Sequence, residues 1–214
     1  MKNAFSLTPG MILRRGHYLY FFYYWLYRLF WDRRIGASME RTLFYDAEGA
    51  YPVQCISYPY IRAFLQAVTF APTDVFVDVG CGWGRLLGYM RRKTPVRTFV
   101  GVELNPEAAA AAQNTFRDDP DITILDGSIL DIFPPDGTVY YLFNPFDENI
   151  LSAFLDKAES TLRHKIRLLY LHPTCRQAID RRPNRWRLVR QIPIKPRHLG
   201  ELTLCEYENI WEEP

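Results

Sequence analysis

Hydrophobic and polar positions follow two different periods along this chain. From residue 74 onward, short apolar runs rich in β-branched and aromatic residues alternate with stretches whose apolar positions recur every three or four residues. Continuous apolar runs belong to strands buried on both faces, and the three-to-four spacing to amphipathic helices. The pattern predicts strands over 74–79, 97–103, 122–125, 138–143 and 166–171, with helices over 84–92, 106–116 and 148–162 among them. Strands and helices in alternation predict an α/β fold: a doubly wound, mostly parallel seven-stranded sheet covered on both faces. The last two strands, 186–192 and 201–208, have no helix between them and are expected to pair as an antiparallel C-terminal edge hairpin.

Before residue 74 the pattern changes. Tyr60, Ile61, Phe64, Leu65 and Val68 fall at helical spacing and predict a helix over 52–71, stopped by Pro72 and Thr73. Residues 32–49, DRRIGASMERTLFYDAEG, are polar and turn-rich and suit a connection or a lid over a cleft. The run from Tyr18 through Trp31, YLYFFYYWLYRLFW, is aromatic almost throughout, bracketed by Arg14, Arg15, Arg33 and Arg34 and broken by Arg28. Crossing a bilayer takes roughly 20 apolar residues, so this shorter, charged run is not expected to span one. It reads either as a buried helix packing across the main domain or as an interfacial helix held at headgroup level by Tyr, Trp and Arg, a peripheral membrane contact. The lack of a polar face at helical spacing favours burial. The chain therefore divides into an N-terminal helical extension with a lid, 1–50, and one domain, 51–214.

Composition narrows the field. A chain of 214 residues with 48% hydrophobic and 23% charged residues suits one globular domain with a substantial core. A formal net charge of +2 gives no electrostatic reason for a polyanionic partner, so nucleic acid is not favoured. Arg176, Arg181, Arg182, Arg185, Arg187 and Arg190 could contact phosphates, but a solvated face or pairing with carboxylates is the stronger expectation. Cys55, Cys81, Cys175 and Cys205 form no C-x-x-C pair and have no His at ligand spacing, so neither a disulfide framework nor a metal site is expected. The start, MKNAFSLTPG, lacks the order of a signal peptide. A reduced, cytoplasmic protein is expected, with the inner membrane face as its place if the aromatic run is interfacial.

The strongest local signal is V-D-V-G-C-G-W-G-R, residues 77–85, where the first strand turns into a helix. Glycines at 80, 82 and 84 carry no Cβ to keep a ligand from the backbone. The spacing G-x-G-x-G, with Arg85 where a third glycine would fall, departs from the dinucleotide fingerprint G-x-G-x-x-G. It disfavours a nicotinamide-dependent oxidoreductase.

With Asp78 before it, the turn reads D-x-G-x-G-x-G and resembles the first motif of the class I S-adenosylmethionine (SAM)-dependent methyltransferases, carried by Asp78, Gly80, Cys81, Gly82 and Gly84. The resemblance implies SAM as cofactor. Glu103 ends the second strand in V-G-V-E-L-N, where an acidic side chain can accept both ribose hydroxyls, with Leu104 and Asn105 beside it. The third strand ends in L-D-G-S-I, where the family often places an acidic group for the adenine amine; Gly127 sets Ser128 at that position, with Asp126 as the other assignment. F-N-P-F, Asn144 to Phe146 with Phe143 before them, is similar to the N-P-P-Y/F motif of enzymes that methylate adenine or glutamine nitrogen, with one proline missing. It implies Asn144, Pro145 and Phe146 in the reaction pocket, Asn144 also touching the cofactor.

Over about 31–180 the chain also looks like a group of bacterial class I methyltransferase-like proteins without an assigned substrate, through W-D-R-R-I-G, the glycine turn, F-N-P-F and Y-L-H-P-T. His172 stands where Asn is expected before Pro173, and is either a base or acceptor-orienting group or a structural residue. The expected activity is methyl transfer from SAM to an unidentified small molecule or protein side chain, nitrogen slightly favoured. Asn144, the Pro145 carbonyl, Tyr58, Tyr60 or His172 would orient the acceptor. A non-catalytic SAM-binding or membrane-docking scaffold is the rival reading.

Overall fold

A computed structural model describes residues 15–36, 49, 51, 53 and 55–211. Of the polar stretch 32–49 read as a connection or lid, 32–35 are helical, and 37–48 lie outside the described residues.

Five strands form the parallel part of the sheet: β1 (Val75–Val79), β2 (Thr98–Glu103), β3 (Ile122–Asp126), β4 (Val139–Phe143) and β5 (Arg167–Leu171). With β6 (Trp186–Ile194) and β7 (Leu202–Asn209) they make one seven-stranded sheet in the order β3-β2-β1-β4-β5-β7-β6. All five runs fall within a residue of the expected bounds, because a strand sandwiched between helices must be apolar on both sides. The hairpin is antiparallel as expected, but β7 sits inside the sheet between β5 and β6, so of the hairpin only β6 lies at an edge. Along β6 most side chains are exposed, and a register shift between Leu188 and Arg190 interrupts the ladder, which blunts an edge open to further pairing.

Four helices cover one face: α1 (Arg15–Ile35), α2 (Tyr58–Ala67), α3 (Arg85–Lys93) and α4 (Pro106–Phe116). The other face carries α5 (Glu148–Thr161) and a short α6 (Gln177–Asp180), which the sequence pattern does not announce. Helix starts follow local chemistry. Asn105 accepts from the Ala108 N–H and Pro106 opens α4; Asp147 accepts from the Asn149 and Ile150 N–H groups at α5. The helix expected over 52–71 is shorter, since Pro59 sits in its first turn and Val68 is extended. α1 is only partly the buried helix expected: Trp31 and Ile35 enter the core, while Phe22, Trp25 and Phe30 stay exposed.

Strand order reverses between β1 and β4, whose chains leave toward opposite sides of the sheet. In an open parallel sheet the crevice outside the carboxyl ends of such a pair is where ligands bind.

Candidate methyl-transfer site

A cavity of about 410 Å³ opens at that reversal, within the range of small-molecule sites. The glycine turn forms its floor. Gly80, Gly82 and Gly84 all have positive φ, which side chains other than glycine adopt at a cost. Their tasks differ. Gly80 and Cys81 line the cavity, and a Cβ on Gly80 would come within 2.9 Å of Pro145 Cβ. Gly82 donates its N–H to Glu103 Oε2 at 2.7 Å. Gly84 caps α3 and packs against the Phe116 ring of α4, so it shapes the turn and does not line the cavity.

Glu103 is 5% exposed, and its second oxygen accepts from the Asn105 N–H at 2.8 Å. Burial pushes its pKa up, and bonds from Asn105, Gly82 and Leu104 oppose that rise. Each carboxylate oxygen retains a lone pair for a hydroxyl. Leu104 lines the cavity with Glu103; Asn105 is the helix cap and stays out of it. Asp78 lies on the wall, 4% exposed, its pKa pushed up to about 8 by burial and by the Glu103 carboxylate. Its register partner across β1 and β4 is Tyr141, a buried wall residue whose hydroxyl has no hydrogen-bond partner among the described residues. Of the two residues proposed for the adenine end, Ser128 lines the cavity along with Gly127, whereas Asp126 is exposed outside it.

Opposite stand the ends of β4 and β5, each turning through a residue in the left-handed region, Asn144 at φ 46° and His172 at φ 54°. Asn144, Pro145, Phe146 and His172 all line the cavity. The Asn144 amide oxygen accepts from the Tyr170 hydroxyl at 3.0 Å and from the Thr174 hydroxyl, which leaves the amide NH₂ as its open group. The Pro145 carbonyl accepts from the Tyr51 N–H at 3.0 Å, and Asp147 N–H donates to Gly49 O at 2.8 Å. Tyr51 and Gly49 are thereby tied to the F-N-P-F loop. Tyr51, Val53, Cys55 and Ile56 complete the wall. None of the four belongs to a motif, and three of them, Val53, Cys55 and Ile56, fall within the helix expected over 52–71. Burial lifts the Cys55 thiol to about 11, so it remains protonated and unreactive at neutral pH.

Tyr58 and Tyr60 do not orient anything in the cavity. The Tyr58 hydroxyl donates to Asp32 Oδ1 at 2.6 Å in the core, and the Tyr60 hydroxyl donates to the Gly200 carbonyl at 2.8 Å. Asp32 also meets Arg85 at 3.4 Å and Arg28 at 3.8 Å, fastening the end of α1 to the start of α3. Arg85 further packs its guanidinium 5.1 Å from the Tyr58 ring centroid. Among the described residues no group of His, Cys, Asp or Glu could hold a metal ion.

A family model described as a methyltransferase domain matches residues 76–166, the span that holds β1 through the loop before β5. Over this span the chain is similar to methyltransferase domains. Solved structures share the fold. An RNA methyltransferase from Salinibacter ruber, in complex with S-adenosylhomocysteine, aligns with a TM-score of 0.57 at 18% identity over 75% of this chain and 96% of its own. The dimethyltransferase RosA from Streptomyces davawensis aligns at 0.59 with 16% identity over 71% and 54%, and LaPhzM at 0.57 with 19% identity over 72% and 56%. The chain thus spans little more than half the length of the last two. A search of curated proteins returns no match.

Tyr58→Phe is expected to lower the unfolding free energy by about 1–2 kcal/mol in urea, through the lost bond to Asp32, while SAM binding stays unchanged. Weakened binding with no loss of stability would instead place Tyr58 at the cavity.

Proposed function

We propose that the chain is a SAM-dependent methyltransferase acting on a small molecule or a protein side chain. The observation that carries this is Glu103: a buried carboxylate held by the glycine turn and by Asn105, at the mouth of a cavity of nucleoside size, with lone pairs left for two hydroxyls. The residues fit the cofactor. Gly80 and Cys81 let it approach the backbone, Glu103 takes the ribose, Ser128 and Gly127 meet the base, and Asp78 with the open Tyr141 hydroxyl meets the amino-acid end. SAM supplies an electrophilic methyl group on a sulfonium, with a neutral thioether as leaving group.

The protein's own work is placement. Asn144, Pro145, Phe146, Tyr51 and His172 surround the side of the cavity opposite Glu103 and would hold the acceptor's attacking atom in line and free of water. The case for nitrogen rested on the likeness of F-N-P-F to the N-P-P-Y/F motif, and an amine there would need the Asn144 amide oxygen as one of its acceptors. That oxygen is already shared by Tyr170 and Thr174, so the geometry gives nitrogen no support, and an acceptor able to take a hydrogen bond from the amide NH₂ suits it better. We take residues 1–50 as an extension, with α1 packed on the domain and Gly49 hydrogen-bonded to Asp147 beside the acceptor end.

Pairing with carboxylates supports the non-nucleic-acid reading: Arg176 with Asp180, Arg181 with Glu148, Arg182 with Asp156 and Glu159, Arg187 with Glu208, and Arg190 with Glu206. The test is to incubate the chain with methyl-labelled SAM and a bacterial extract separated into small molecules, protein and RNA. Label in either of the first two fractions supports the proposal, and label confined to RNA contradicts it.

Asp78 adds a pH signature. In the ligand-free protein a carboxyl near 8 is mostly protonated at neutral pH. Facing a cationic ligand favours its anion, so binding below about pH 8 releases a proton. SAM affinity is therefore expected to rise from about pH 6 toward 8, by up to about tenfold per unit, and Asp78→Asn to flatten that rise. Calorimetry in buffers of different ionisation enthalpy reads the proton directly; no release would contradict the assignment.

A further inference from the structure

We propose that α1 seats this protein on an anionic phospholipid surface. Phe22, Tyr23, Trp25, Leu26 and Phe30 are each between 45% and 59% exposed. At 3.6 residues per turn they share one half of the helix surface. The opposite half is fixed to the domain: Trp31 and Ile35 are buried, Tyr27 shares a hydrogen bond of 2.6 Å with Tyr89, and Asp32 meets Arg85. Soluble surfaces rarely present so continuous an apolar patch without a partner. The helix is thus anchored on one side and presents large aromatic side chains on the other.

The occupant is chosen by the chemistry around the patch. Its aromatic side chains are the types that sit at headgroup depth, and no helix among the described residues is long and apolar enough to cross a membrane. Cations border it. Arg33 and Arg34 are exposed at the end of α1, with the Arg34 guanidinium 5.9 Å from the Phe30 ring centroid, and Lys93 lies 5.0 Å from that of Trp31. On the other flank a second cavity of about 420 Å³ lies between α1, α2 and the loop after β6. Tyr20, Tyr23, Tyr24, Arg62, Lys195 and Arg197 are on its walls. Lys195 is partnered by Glu201 at 3.6 Å, and Arg62 lies 5.6 Å from the Tyr27 ring centroid. An aromatic face set between clusters of positive charge matches a bilayer carrying anionic headgroups, where buried rings and surface charge act together.

The experiment is flotation of the full chain with phosphatidylcholine vesicles, with and without phosphatidylglycerol, alongside light scattering of the chain alone. The intact protein should float with the anionic vesicles only, and added salt should release it. Replacing Phe22, Trp25 and Phe30 together by Ser should lower partitioning by at least about tenfold, as should Arg33→Glu with Arg34→Glu. Unchanged melting curves would show that these exposed substitutions leave the fold intact. Three results overturn the proposal: a folded chain that does not float, equal flotation on uncharged vesicles, and equal flotation of the serine variant. A dimer that the serine variant disperses, without vesicle binding, would assign the patch to a second copy of the chain.

Discussion

Glu103→Ala is expected to weaken SAM binding by about a hundredfold or more. The carboxylate is 5% exposed and its orientation is set by two backbone donors, Gly82 at 2.7 Å and Asn105 at 2.8 Å, before any ligand arrives. A hydrogen bond to a charged partner contributes about 1.5–3 kcal/mol, so two ribose hydroxyls at one carboxylate are worth more than the roughly 2.8 kcal/mol of a hundredfold change. Removing the side chain also leaves both N–H groups without an acceptor, which loosens the turn that the cofactor lies against. Titration calorimetry measures the loss, and a melting curve of the variant separates a changed site from a changed fold. Affinity within threefold of the parent would remove Glu103 from the ribose role.

Gly84→Val is expected to cost roughly 2–5 kcal/mol of stability. Two effects add. Gly84 sits at φ 75°, a region that costs a non-glycine residue about 1–2 kcal/mol, and a Cβ there would run into the Phe116 ring. Phe116 is 5% exposed and also lies within 3.1 Å of where a Cβ on Gly88 would stand, so the ring has no free side to turn toward. Forcing extra atoms into such packing costs about 1–3 kcal/mol. Urea denaturation reads the sum; a loss under about 1 kcal/mol would mean that the ring does yield.

What was legible in the sequence follows from how local each signal is. β1 to β5 could be read because a doubly covered strand is a nearly continuous apolar run, and α4 because Asn105 and Pro106 mark its start on their own. Residues 177–180 make too short a helix to show a period. The position of β7 inside the sheet depends on pairing with β5, which no run of residues encodes by itself. At the cavity, Asp78, Gly80, Cys81, Glu103 and Leu104 belong to two contiguous motifs and line the wall. Tyr141 belongs to neither motif, since its place beside Asp78 comes from strand register, although that register follows once β1 and β4 are known to be neighbours. Gly84 and Tyr58 carried the right motif or neighbourhood and the wrong role. Their contacts, Phe116 and Asp32, lie 32 and 26 positions away in the chain. The aromatic run was hardest to read, because a helix apolar all round gives no sign of which side the domain will cover.

The claim on which the account turns is that the crevice beyond β1 and β4 holds SAM. Isothermal titration of SAM into the intact chain, with NAD as the control titrant, tests it most directly. SAM should bind saturably, on the order of micromolar, and NAD should give no heat. No binding of SAM to a chain that melts cooperatively would contradict it.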